Sequence, residues 1–401
     1  MKREHGFSLI ELLVATSIVG LILAATLGTL TSAINATQAI TLMADTQENL
    51  RAGLNYMVRD LLQTGEGVPQ GGITIPNTAG VSSMNRPGPG TPAASFGTFP
   101  TTWTALPAIV SGYQQGATTT TSGVATDMVT VMYADTTLQD VNGHWLNEFP
   151  IALKNTGTPG CAAGNATPEP GGSITTAGTT TTITFDPTCI VINNGNTGLN
   201  PGDLIMLQNN NTTGDGSITG TDEDISDTSG SMALMTVSNV NSAANSITLS
   251  ANDAFNLNAS GATAGTLNQI KIQTGPNAGT YPTTAATRFW MITYYVSTAP
   301  PASAAQPMLM RQVNMNQPQA VGEVIENLQI FYDILNAGSS PVTVTAAQEN
   351  PTSAQLPDIR DAYIMLYARS QDPFNHTNRY FRNNLQTVVS IRGLDFYNKF
   401  Q

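Results

Sequence analysis

From Leu12 to Leu30 the chain carries no charged residue, and this run follows directly on a glutamate, Glu11, and a short leader containing Lys2 and Arg3. No other feature restricts the fold so strongly. The run is close to the roughly 20 residues that cross a bilayer as a helix. A carboxylate near bilayer hydrocarbon costs roughly 2.5–3.5 kcal/mol on insertion scales, so Glu11 at the mouth of the segment calls for an opposite charge. The basic residues before the run place the N-terminus in the cytoplasm and everything after Leu30 across the membrane. A secretory signal peptide fits less well, since the run exceeds a usual apolar core of roughly 7–15 residues and no clean Ala-x-Ala site follows. A plain signal anchor explains the orientation, but neither Glu11 nor a leader ending in Gly6.

From Thr31 to about Thr64 the chain is polar with helical spacing. Leu50, Leu54, Met57, Val58, Leu61 and Leu62 recur at three- and four-residue intervals and form one apolar stripe. Arg51, Arg59 and Asp60 are expected off that stripe. Gly65, Gly67 and Pro69 supply a stop. An unbroken helix from Phe7 to Thr64 would be about 87 Å long at ~1.5 Å per residue.

Beyond this helix the chain runs on to residue 401, with 10% charged and 40% hydrophobic residues. Gly, Thr, Asn, Ser and Ala dominate. That is the composition of an extracytoplasmic β protein with long loops, not of a charged disordered tail. The net charge is −12, with scattered Lys and Arg, which speaks against nucleic acid as a partner. The two cysteines, Cys161 and Cys189, fall in the segment placed outside the cytoplasm, where a disulfide is favoured. Closing that loop would stabilise by roughly 3–4 kcal/mol in the entropy model. Two free buried thiols are the alternative. The spacing suits neither a metal knuckle nor a CxxC redox pair.

Residues 65–123 read as mostly loop with sporadic strands. Strands are expected at Asp127–Ala134, Ile183–Phe185, Cys189–Ile192 and Asp203–Gln208. Ser231–Val240 is expected to pair with Ser246–Ser250, and Arg288–Ser297 with Met308–Val313. Glu323–Gln329 reads as a short helix leading into a strand at Ile330–Leu335, and Ala362–Arg369 and Gln386–Arg392 complete the sheet. The fold class is therefore α+β: a long N-terminal helix packed on an antiparallel sheet. The division is 1–6 leader, 7–30 membrane helix, 31–64 amphipathic helix and 65–401 head.

Five carboxylates, Asp215, Asp222, Glu223, Asp224 and Asp227, share one Gly-rich loop. Such an oxygen-rich loop could hold Ca²⁺. The EF-hand pattern is met only in its first half, since Ser226 stands where a closing glutamate belongs. A solvated acidic loop is the competing reading. His5, His144 and His376 have no neighbouring ligand cluster, and no nucleophile elbow or phosphate-binding loop is visible. No catalytic residues and no cofactor are assigned.

The contiguous segment Gly6-Phe7-Ser8-Leu9-Ile10-Glu11-Leu12-Leu13-Val14-Ala15 resembles the class III signal of type IV pilins and type II secretion pseudopilins. The resemblance implies cleavage after Gly6 by a prepilin peptidase/methyltransferase and N-methylation of Phe7. It also implies that Glu11 pairs with the terminal amine of a neighbouring subunit, which answers its demand for an opposite charge. Cleavage would remove a net +1 from Lys2, Arg3 and Glu4 and leave −13. Major pilins often carry a helix-breaking proline near the position of Gly28; here no proline precedes Pro69. Arg311, Val324–Gln329 and Tyr332 loosely match PilW-type minor pilins and J-type pseudopilins. Against a minimal member of that family the stretch from about 137 to 285 is long, and the resemblance implies an inserted β-rich lobe there. The partners implied are other major and minor pilins and an inner-membrane assembly platform. The expected location is the inner membrane with a periplasmic head, then the pilus. The function implied is a minor pilin that primes or caps a type IV pilus. The alternatives are a J-type pseudopilin of a secretion system, or a pilus-displayed adhesin or ligand module.

Overall fold

The computed structural model describes residues 8–69, 71–76, 84–88, 99–100, 102–119, 123–135, 151–154, 170–185, 187, 192, 198–209, 231–259, 265–271, 279, 281, 284–336, 343–374, 379–391 and 393. A single helix, α1 (Leu9–Gln63), leads the chain. In chain order there follow β1 (Ile73–Thr74), β2 (Ala105–Leu106), β3 (Ile109–Gly112), β4 (Met128–Ala134), β5 (Ile151–Lys154), β6 (Pro170–Ala177), β7 (Thr180–Phe185), β8 (Leu204–Asn209) and β9 (Ser231–Thr236). Then come β10 (Asn239–Asn241), β11 (Ser246–Ser250), β12 (Thr284–Ser297), β13 (Met308–Val313), β14 (Gln319–Glu323), β15 (Ile325–Asn336), β16 (Thr343–Gln348), β17 (Ile359–Arg369) and β18 (Arg382–Ser390). The architecture is α+β, one long helix packed with antiparallel sheets. One described pair, β5 with β6, is parallel.

Among the described residues two large sheets and a two-stranded pair, β1-β2, make up the head. The larger is organised around β12, which pairs with β4 and β8 along its length and with β13 near its end. The smaller runs β16-β15-β17-β18. Side-chain alternation explains how the central strands are buried. On β4, Val129, Val131 and Tyr133 enter one core with α1, while Met132 and Ala134 enter another on the opposite face. On β12, Ile292, Tyr294 and Val296 take the first face, and Phe289 and Met291 the second. With both faces covered, every residue of β4 is buried, and a two-sided strand reads as a continuous apolar run. A further core gathers Ile174, Ile183, Phe185, Ile205, Ile247 and Ala286, among others, so residues of the 174–286 region bury a cluster of their own.

The distal half of α1 lies on the smaller sheet and on β14. Leu50, Leu54, Met57 and Leu61 are buried as expected, whereas Leu62 is exposed. Gly53 allows the close approach: a Cβ there would lie 2.9 Å from Leu309 Cδ2 and 3.6 Å from Leu366 Cδ1. The chain leaves the helix through Gly67, whose φ of +69° suits glycine and where a Cβ would lie 2.6 Å from Ala134 Cβ.

Three sequence-based expectations need correction. Glu323–Gln329 is not helical. β14 ends at Glu323, Val324 turns at φ +52°, and β15 begins at Ile325. The i, i+3 spacing of Ile325 and Leu328 looks helical, but a register shift between Ile325 and Asn327 inserts an extra residue and returns both to the buried face of a strand. Ser231–Val240 does not pair as one strand with Ser246–Ser250; only β10 does, while β9 pairs with β8. Asp60 is not off the buried stripe but fully buried. The expected strand at Cys189–Ile192 lies outside the described residues except for Ile192, which is in a turn.

Candidate functional site: the two ends of the helix

The N-terminal end of α1 is a capping box. Ser8, in extended geometry, accepts a hydrogen bond from the Ile10 backbone N–H at 3.3 Å, and Glu11 accepts one from the Ser8 N–H at 3.0 Å. Two helix-end donors are satisfied reciprocally, and a carboxylate in the first turn also suits the helix dipole. Beyond it the helix presents its apolar side chains to the outside: Leu9, Ile10, Leu12, Leu21 and Leu30 are all more than half exposed. The hydroxyls of this stretch turn back on the helix. Ser17 donates to the Leu13 carbonyl at 2.8 Å, Thr26 to Leu23 at 2.9 Å, and Ser32 to Gly28 at 3.0 Å. That satisfies polar groups internally, as hydrocarbon surroundings demand. A Cβ added at Gly20 or Gly28 would meet nothing within 4 Å beyond the helix's own backbone.

At its other end α1 is tied to the head by a buried charge. The Asp60 carboxylate accepts from Arg311 Nε at 2.6 Å, from the Tyr294 hydroxyl at 2.5 Å and from the Tyr133 hydroxyl at 3.3 Å. Arg59, itself exposed, adds a weaker contact at 3.5 Å. Three strands, β4, β12 and β13, thus grip one helix residue. The Tyr294 hydroxyl is pushed well above its usual range, by burial first and then by the Asp60 charge; Tyr133 follows for the same reasons. Burial disfavours charge on Arg311, but the hydrogen bond and charge of Asp60 outweigh it and raise its pKa. Both tyrosines therefore stay neutral donors and the guanidinium stays charged. The group is a hydrogen-bonded clamp between the helix and three strands.

Of the site residues named from the sequence, Glu11 is described, and in the single chain it caps the helix. Gly6, Phe7, Cys161, Cys189 and the loop carboxylates Asp215, Asp222, Glu223, Asp224 and Asp227 lie outside the described residues. No cluster of metal-ligating side chains occurs among the described residues. The Asp60 clamp was missed, although a signal existed. Thr46, Leu50, Gly53, Met57, Asp60 and Thr64, all buried, follow a strict four-three spacing that the apolar residues alone do not reveal.

α1 is long and apolar enough to cross a membrane, and none of its most apolar stretch is buried against the head. Comparison with curated proteins and with solved structures gave no match. Residues 1–27 match the prokaryotic N-terminal methylation motif, the class III signal of type IV pilins, which supports a pilin-like or pseudopilin-like protein anchored by a single span.

Proposed function

We infer that this protein is a minor pilin, a structural subunit that primes or caps a type IV pilus. The observation that carries the reading is the continuity of the methylation motif over residues 1–27 with a helix whose apolar half is left exposed by the described residues. Prepilin peptidase cleaves after Gly6 on the cytoplasmic side, and Phe7 becomes the methylated terminus. The head is translocated to the periplasm. In the single chain the Glu11 carboxylate is held by the Ser8 N–H. In the filament it exchanges that contact for the terminal amine of a neighbour, and the bare helix face packs against other pilins. The Asp60 clamp suits this role, because force on the helix must reach the head through a rigid joint. The 174–286 core supports an inserted lobe over about 137–285, displayed on the outside of the filament.

Shearing filaments from cells tests this reading. The wild-type chain should co-sediment with them, and Glu11→Ala should leave it in the inner membrane. Equal recovery of both in filaments overturns the pairing role of Glu11. Deletion of the gene should reduce piliation; intact pili with a loss of protein secretion would assign the chain to a secretion pseudopilus instead.

A further inference from the structure

The smaller sheet turns one face to α1, and among the described residues no element packs on the other. On β17 the residues alternate: Ala362, Ile364 and Leu366 are buried toward the helix, while Tyr363, Met365 and Tyr367 stand half-exposed on the far face. Strand register lines up their neighbours in rungs. Tyr367 stands between Asn327 on β15 and Asn384 on β18. Met365 stands between Gln329 and Gln386 in the next rung. Tyr363 follows, between Phe331 and Val388. A central line of aromatic and thioether side chains is therefore flanked over two rungs by an amide on each side. Two cavities open along this line, of about 390 Å³ beside Tyr367 and about 460 Å³ beside Tyr363. From Tyr363 to Tyr367 the strand extends roughly 13 Å.

The two ends of the line differ in charge. Beyond Tyr367, Glu326 is buried and binds two guanidiniums, Arg369 at 3.0 Å and Arg382 at 2.9 Å. Arg369 also stacks on Tyr380 at 3.9 Å. Two cations share one carboxylate, and Arg382, half-exposed, borders the cavity. This corner is cationic in a chain of net charge −12. At the other end Asp333 and Asp361 face each other in register, and Asp333 accepts from the Tyr363 hydroxyl at 2.9 Å.

We propose that this sheet face binds a linear acidic oligosaccharide, with a uronate carboxylate at Arg382 and the sugar rings laid along Tyr367, Met365 and Tyr363. Each group has a matching partner. Aromatic rings offer a flat, amphipathic surface to the C–H face of a sugar. Asn and Gln each provide donors and an acceptor in fixed geometry, as paired hydroxyls need. A guanidinium binds a carboxylate through paired N–H donors, and the Arg382 side chain spends only part of its five donors on Glu326. The carboxylates at the far end accept from hydroxyls and repel a second uronate, so the ligand is oriented. Over the two amide rungs the face offers paired donors and acceptors to hydroxyls, and its apolar flanks are confined to the rung of Phe331, Tyr363 and Val388.

The test uses the full chain in detergent micelles with a trisaccharide carrying one terminal uronate (an aldotriouronate) and its carboxyl-reduced counterpart, read by saturation-transfer NMR on the sugar protons. Transfer to the uronate-bearing trisaccharide is expected, with weaker transfer to the reduced sugar. Tyr367→Ala should weaken binding about tenfold, equivalent to about 1.4 kcal/mol, while Tyr367→Phe keeps the ring and the binding. Arg382→Gln should remove the preference for the acidic sugar and leave the reduced one unaffected. Each variant is checked by its melting temperature, and the half-exposed positions make folding defects separable. No transfer to either sugar, transfer undiminished in a folded Tyr367→Ala, or equal binding of the two sugars overturns the proposal. Loss of a co-purifying protein subunit in Tyr367→Ala, without sugar binding, assigns the face to a protein partner and also overturns it.

Discussion

Asp60 on the helix and Arg311 on β13 meet at 2.6 Å with the carboxylate fully buried, and this contact joins the long helix to the head. Removing one member of a buried pair leaves the other uncompensated, which costs more than the pair itself contributes. Asp60→Ala should therefore destabilise the head by about 3–5 kcal/mol, measured by urea unfolding of the full chain in detergent. Asp60→Ala combined with Arg311→Met should cost less than Asp60→Ala alone. If the double variant is the less stable of the two, the uncompensated charge is not the source of the loss.

Gly67 and Gly71 separate backbone strain from crowding. Both have positive φ, +69° and +82°, but a Cβ at Gly67 would lie 2.6 Å from Ala134 Cβ, while at Gly71 it meets nothing. Gly71→Ala should cost about 1–2 kcal/mol for the left-handed backbone alone. Gly67→Ala should cost more, because the helix exit must also move away from β4. Equal losses in thermal or urea unfolding would show that the exit loop relaxes freely.

Tyr295 gives a pH signature. Burial pushes its hydroxyl up to about 12 from the usual 10. A group whose folded pKa is raised contributes stability that is complete below the unfolded pKa and is lost as pH rises through the folded one. Between about pH 10 and 12 each such tyrosine should remove about 1.4 kcal/mol per pH unit. Tyr295→Phe should reduce the alkaline slope by that amount, with a smaller change near pH 7. An unchanged slope would mean that the hydroxyl ionises equally in both states.

The architecture was legible where one period dominated. The helix and the β12–β13 hairpin follow directly from uncharged length and from apolar, β-branched runs. The failures came where two signals overlapped. At Ile325–Leu328 a bulge gave a strand the spacing of a helix. At Asp60 the buried face of α1 was built from polar and small residues as well as apolar ones. An apolar count cannot see a carboxylate whose partners lie on strands far along the chain. The amide rungs were equally hidden, since Asn327, Tyr367 and Asn384 become neighbours only through register.

Processing and assembly both begin at the start of the chain, where residues 1–27 match the methylation motif. The most direct measurement is the intact N-terminal mass of the protein recovered from sheared filaments. It should show a chain beginning at N-methylated Phe7, with the leader Met1–Gly6 gone. A terminus that still begins at Met1 would contradict both the processing and the assembly role built on it.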